Sequence, residues 1–197
     1  MCCTLELTLC QTPSQEQYRE IVARALAQAE NVSWLAKGIR ELFDAAEARE
    51  DSEILQLQVV VHDAISDLLP VAELAGVRIC YLPRSGCPVR FEAERLRRGL
   101  FHLLGFVVGW GGSGDVVKIE LGESGNDAVL ALNASGQGAA HAQVSAPNSS
   151  EDYPPRELAR RLGLGIARAI FEAAGGSFSV EGGVDGVSVQ VQLPRAR

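Results

Sequence analysis

The chain has 197 residues, of which 47% are hydrophobic, and its net charge of −7 gives a pI near 5.0. This length supports one domain of ordinary size with an appendage, and the acidic balance excludes a general nucleic-acid-binding protein, which carries a basic surface. No apolar run is long enough to cross a bilayer, and the cysteines and histidines lack the spacing of disulfide or zinc sites, so we expect a cytoplasmic protein without a metal.

Residues 1–50 predict a helical dimerisation segment. Ser14 and Gln17 make a capping box, after which a helix should run to about Arg49. Its apolar residues recur in alternating steps of three and four, as in a coiled coil. They are Tyr18, Ile21, Ala25, Val32, Leu35, Ile39, Leu42 and Ala46, with the polar Gln28 among them. Such a long helix needs partners, and a hairpin that dimerises into a four-helix bundle supplies them. The alternative is one long helix folded against its own domain.

A charged linker at residues 50–53 marks the expected boundary to a second domain, residues 54–197. Beyond it the pattern predicts short strands interleaved with helices. The strands are expected at 54–57, 77–82, 89–91, 116–121, 128–132, 177–181 and 187–193. Helices are expected at 60–75 and 92–110, and a last helix ends at Gly175 and Gly176. Residues 136–155, rich in Gly, Ala, Ser, Asn and Pro, predict a mobile loop. This order predicts an α+β fold in which an antiparallel-rich sheet is covered on one side by helices.

The segment from Leu158 to Gly176 organises the second domain. Gly163 and Gly165 stand where a strongly periodic apolar helix begins, and Gly175 and Gly176 end it where a left-handed residue is usually needed. A glycine-rich entry to a helix lets backbone N–H groups approach a phosphate. Close packing is the alternative role of Gly163 and Gly165, because a short Gly-x-Gly signal is weak.

Several of these segments resemble the core of a sensor histidine kinase. Residues 162–176 are very similar to the family's second glycine box and its following helix, and residues 95–104 match the helix leading into its N box. Residues 18–46 resemble its second dimerisation helix, and residues 177–181 with 187–194 its closing hairpin. The resemblance implies a dimerisation hairpin followed by a two-layer α/β sandwich of the histidine-kinase ATPase (Bergerat) type. It also implies two-component signalling, a homodimer through the N-terminal helix, and a response regulator or another histidine kinase as partner.

Four positions depart from the family's nucleotide chemistry. The resemblance places the magnesium-binding asparagine at Phe106, the lysine facing the phosphates at Gly109, another N-box asparagine at His102 and the adenine-binding aspartate at Ala134. Mg²⁺ demands oxygen ligands, and a phenyl ring offers none. A methyl group cannot accept the adenine hydrogen bond, and an unmet polar group costs roughly 1–3 kcal/mol. A register shift that brings in Asn133 or Ser135 is the alternative.

The other expected pocket positions keep the family's residue types, with Trp110 standing where an aromatic ring lies near adenine. We therefore expect a degenerate nucleotide pocket with no catalytic residue and no metal ligand. Its members are His102, Phe106, Trp110, Ala134, Gly136, Gly138, Gly163, Leu164 and Gly165. Arg156, Arg160 and Arg161 precede the second glycine box and could attract an anion, but we expect them to be solvated surface charges.

No histidine precedes His62, whereas the family's phosphoacceptor lies upstream of the segment that residues 5–9 resemble. Either the chain continues upstream or its first helix is cut short, and His62 is interpreted as an ordinary polar helix residue. These departures predict a pseudokinase, or a phosphotransfer or scaffold partner, with weak or absent ATP binding and no cofactor. Whether the chain is an enzyme stays open.

Two alternatives remain. One is an active histidine kinase domain with divergent boxes, which would use ATP and Mg²⁺ with Glu94 or Asn133 as the replacement metal ligand. The other is a nucleotide-binding switch that resembles an anti-sigma factor, which the long dimerisation helix disfavours.

Overall fold

A computed structural model describes residues 15–47, 52–83, 86–135, 155–183 and 186–196. The helices are α1 (Gln15–Ala46), α2 (Leu57–Ala75), α3 (Ala93–Trp110) and α4 (Pro155–Ala173). The strands are β1 (Glu53–Gln56), β2 (Arg78–Leu82), β3 (Pro88–Phe91), β4 (Val116–Ser124), β5 (Asp127–Ser135), β6 (Ser177–Gly183) and β7 (Gly186–Pro194). The loop predicted at residues 136–155 lies outside the described residues up to residue 154. In the part of the chain just defined, no helix has the length and apolar character of a bilayer crossing.

The chain divides into two compact units, Met1–Lys37 and Gly38–Arg197. As far as it is described, the first unit is the part of α1 from Gln15 to Lys37. The second unit contains the last turns of α1 and all later elements. The predicted domains 1–50 and 54–197 remain a prediction. The two compact units are defined by packing, so the end of a helix belongs to the unit against which it packs.

A five-stranded mixed sheet forms the centre of the second unit. Its strand order is β2-β4-β5-β7-β6, in which β2 runs parallel to β4 and the other neighbours are antiparallel. The predicted hairpins β4–β5 and β6–β7 are confirmed. A second sheet pairs β1 with β3, and Val89 of β3 bridges to Arg195 just after β7.

Alternating burial along the strands decides which face of the sheet joins the core. In β5 the side chains of Ala128, Leu130, Leu132 and Ala134 are buried while their neighbours are half-buried, and β7 repeats the pattern. Successive strand side chains point to opposite faces, so one face of the sheet is apolar. Its residues form one cluster with the buried residues of α2, α3 and α4. The predicted two-layer α/β sandwich is therefore confirmed.

Helix α4 ends as predicted and begins earlier than predicted. Gly175 adopts a φ of 77°, and the N–H of Gly176 bonds to the carbonyl of Phe171, which closes the helix. The helix starts at Pro155, so Gly163 and Gly165 lie in its interior. Interior N–H groups are bonded to the carbonyl four residues earlier, whereas only the first turn leaves them free. The expectation that these glycines form a helix entry is therefore wrong, although their place in a nucleotide pocket remains a prediction.

Candidate functional site

Helix α3 carries three residues of the predicted pocket, His102, Phe106 and Trp110, on one face at i, i+4 and i+8. Phe106 is only 4% exposed. Its ring meets the Trp110 ring edge-to-face with the centroids 6.2 Å apart, a favoured aromatic geometry. Trp110 in turn packs against the core at its edge. Phe106, where the resemblance places the family's metal ligand, is thus part of the hydrophobic core.

His102 contacts a carboxylate of α1. Its Nε2 lies 3.3 Å from Oε2 of Glu41, and its side chain is 23% exposed. On its other side, a Cβ atom added to Gly163 of α4 would lie 3.5 Å from Nδ1 of His102. Burial lowers the pKa of His102, Glu41 opposes this by charge and hydrogen bonding, and the positive charge of Arg98 adds to the lowering. His102 therefore belongs to a junction of α1, α3 and α4.

Gly109, where the resemblance places the family's phosphate-facing lysine, is covered by an arginine of α4. Nη1 of Arg160 donates a hydrogen bond of 2.5 Å to the carbonyl of Gly109. A Cβ atom at Gly109 would lie 2.9 Å from Cδ of Arg160, so the missing side chain is what allows the arginine to lie there. Arg160 is partly exposed to solvent and also contacts the backbone of α3.

Ala134 lies in β5 between Val117 of β4 and Val187 of β7. It is 6% exposed and belongs to the core cluster, with Leu164 of α4 packed at the edge of that cluster. Gly136 and Gly138 lie outside the described residues. The structure thus brings His102 close to Gly163 and Phe106 close to Trp110.

The side chains at these positions do not fit the magnesium–triphosphate group that the resemblance implies. Mg²⁺ is held by oxygen ligands in near-octahedral geometry, whereas Phe106 and Ala134 offer only carbon and Gly109 offers no side chain. Within the described ranges, no group of three or more His, Cys, Asp or Glu residues is arranged to hold a metal ion.

A cavity of about 450 Å³ lies at the opposite end of α3. Its lining includes Arg90, Glu92 and Arg95 near the start of that helix, together with Leu193 and Arg195 at the end of the main sheet. The predicted pocket residues do not line it, so this cavity is not the expected nucleotide site.

Solved structures share this architecture. The histidine kinase AdeS of Acinetobacter baumannii has a TM-score of 0.67 at 16% identity, over 95% of this chain and 88% of that chain. The catalytic domain of the histidine kinase ThkA has a TM-score of 0.59 at 15% identity, over 74% of this chain and 97% of that one. Full-length ShkA, in complex with AMPPNP, has a TM-score of 0.64 at 17% identity, over 94% of this chain and 40% of that one. This chain has the fold of a histidine kinase core.

This fold confirms two predictions, the resemblance to a histidine kinase core and the α+β class. No model of a known protein family matches the sequence, and no curated protein matches it either. At these low identities the structural likeness extends to the fold alone, so the activity has to be argued from this chain's own residues.

Sequence reasoning missed two residues of the junction, Glu41 and Arg95. The Arg95 guanidinium donates to the backbone carbonyls of Ala45 and Glu47 at the end of α1. The sequence held one indication of such a contact. Helix C-termini favour a basic residue, and the last turn of α1 carries none. It did not identify which cation, distant in the sequence, binds the C-terminus of α1. His62, with its side chain 71% exposed, is the surface helix residue that was predicted.

Proposed function

We propose that this chain is a degenerate histidine-kinase core that acts by protein–protein interaction in two-component signalling. In this proposal it is a pseudokinase scaffold or a phosphotransfer partner, with weak or absent binding of Mg·ATP. The burial of Phe106 carries the proposal. A metal ligand has to present an oxygen atom to the nucleotide, whereas this position presents a phenyl ring to the core with 4% of its surface exposed.

The other altered positions support the same conclusion. The methyl group of Ala134 cannot accept a hydrogen bond from adenine, and leaving that amino group unpaired costs roughly 1–3 kcal/mol, or about one to two decades of affinity. Gly109 supplies no charge for the phosphates, and Arg160 lies across its backbone. His102 is engaged with Glu41. These losses act on the base, the metal and the phosphates at once.

A homodimer through α1 is the second part of the proposal. In the first unit Tyr18, Val22, Leu26 and Val32 are each more than half exposed. Apolar residues that recur along one helix and face solvent mark a partner surface. A second copy of α1 would cover them in a helical bundle. A response regulator or another histidine kinase is the further partner that this reading implies.

Isothermal titration of the full chain with Mg·ATP tests the nucleotide part of the proposal. We expect no saturable heat below about 1 mM ligand, equivalent to binding weaker than about 4 kcal/mol. ShkA, whose structure holds AMPPNP, is the positive control, and circular dichroism checks that the chain is folded. Micromolar binding would overturn the proposal.

An active kinase domain is the competing outcome. Transfer of labelled phosphate from ATP to this chain, or to a histidine-bearing dimerisation helix supplied with it, would identify such an enzyme. The proposal expects no transfer under conditions in which the positive control is labelled.

A further inference from the structure

The last turns of α1 pack against α3 and α4 within the second unit. Residues 38–47, named here the docked segment, include the buried Gly38 and Ala45 and the partly buried Leu42, which packs against the core. A Cβ atom at Gly38 would overlap the side chain of Leu162 in α4. The absence of that atom lets Leu162 lie directly on the α1 backbone.

Arg95 of α3 binds the end of the docked segment. Its two terminal nitrogens donate hydrogen bonds to the carbonyls of Ala45 and Glu47. The last four carbonyls of an α-helix have no partner within the helix. Because the last turn of α1 has no basic residue of its own, Arg95 takes the place of a C-terminal cation and supplies charge-assisted bonds.

His102 binds the same segment further toward its beginning. The spacing of Arg95 and His102, i and i+7, places both on one face of α3. Nε2 of His102 lies 3.3 Å from the carboxylate of Glu41. Both partners are partly shielded from solvent, with side chains 23% and 43% exposed. Two polar contacts on one helix face therefore hold two successive turns of α1.

We propose that Arg95 and His102 form a clasp that fixes the docked segment to α3 and α4, so that a displacement of α1 reaches these two helices directly. The clasp joins the end of α1 to the ATPase-like unit, so that the two move together. The proposal is independent of nucleotide binding, because none of its contacts involves a ligand.

Hydrogen–deuterium exchange of the full chain tests the clasp with the variant Arg95→Ala. Arg97→Ala is the matched control, because Arg97 lies on the same helix and pairs at the surface with Asp67 of α2. We expect backbone amides of residues 38–47 to exchange about tenfold faster or more in Arg95→Ala, with a smaller rise in residues 158–165 of α4. The strands β5 and β7 should be unaffected, and Arg97→Ala should change neither helix.

A second variant, Glu41→Ala, removes the other contact without touching α3. It should accelerate exchange in the docked segment as well, and Arg95→Lys should lie between wild type and Arg95→Ala, because lysine keeps the charge but lacks the fork of donors. Unchanged exchange in residues 38–47 of Arg95→Ala would overturn the clasp. A uniform rise that includes β5 and β7 would also contradict it, since a local fastening leaves the sheet intact.

Discussion

Replacing Phe106 with asparagine introduces the residue type that the family resemblance implies for a metal ligand at this position. If nucleotide binding were lost only through this side chain, the variant would recover some affinity for Mg·ATP. If Phe106 is a core residue, the variant instead loses stability and gains no ligand. The two readings therefore predict opposite results from one substitution.

The size of the stability loss follows from the burial of Phe106. Its ring is 4% exposed and packs on Trp110, so removing it resembles a core Phe→Ala change, which costs roughly 3–5 kcal/mol. A buried amide without partners adds roughly 1–3 kcal/mol. We expect a total of about 5 kcal/mol, equivalent to a fall in Tm of about 10–20 °C for a unit of this size. Phe101→Asn is the matched control on the same helix, and since Phe101 is 46% exposed it should cost only about 1 kcal/mol.

Urea denaturation followed by circular dichroism measures both variants, and isothermal titration with Mg·ATP follows on whichever fraction is folded. A Phe106→Asn protein that unfolds within about 1 kcal/mol of wild type would refute the argument from burial. Recovery of Mg·ATP binding in that variant would refute the argument from the core more directly, because it would require the side chain to reach the ligand.

Three further predictions concern backbone geometry, protonation and assembly. Gly186 has a φ of 148° and a Cβ atom there would overlap a backbone carbonyl of β5, so Gly186→Ala should destabilise the chain by about 3 kcal/mol, against about 1 kcal/mol for Gly125→Ala in an open turn. Burial lowers the pKa of His102 in the folded chain, so the unfolded chain binds that proton more readily. The free energy of unfolding should therefore fall as the pH drops below about 6.5. Thermal unfolding measured from pH 7 to 5 should show a smaller loss of stability for His102→Gln than for wild type or for the control His62→Gln. Leu26→Asp places a charge on the exposed apolar face of α1 and should halve the mass found by light scattering, and an unchanged dimer would argue against this interface.

The sheet and the helices could be predicted from the sequence because their signals are local. The alternation in residues 116–121 and 128–132 matches the buried faces of β4 and β5, since side chains of a strand alternate between core and solvent. The end of α4 at Gly175 followed from turn chemistry. Its beginning could not be predicted, because glycine has a low helix propensity and packing against α3 overrides that preference.

The residues of the candidate site remain a prediction, whereas their contacts could not be predicted from the sequence. The positions of Phe106 and Ala134 came from the family resemblance, and their chemistry already indicated a weak nucleotide pocket. Arg160 on Gly109 and Glu41 on His102 could not be foreseen. Each pair joins residues that are distant in the chain, and no local pattern distinguishes an arginine in solvent from one bound to a carbonyl.

By itself the sequence determined the class of fold and the order of its elements, because hydrophobic periodicity is a property of short segments. Only the tertiary structure decided that Phe106 is a core side chain and that Arg95 and His102 bind the end of α1. The physical reason is that burial and hydrogen bonding between helices depend on which surfaces meet, and close packing fixes this over the whole unit at once.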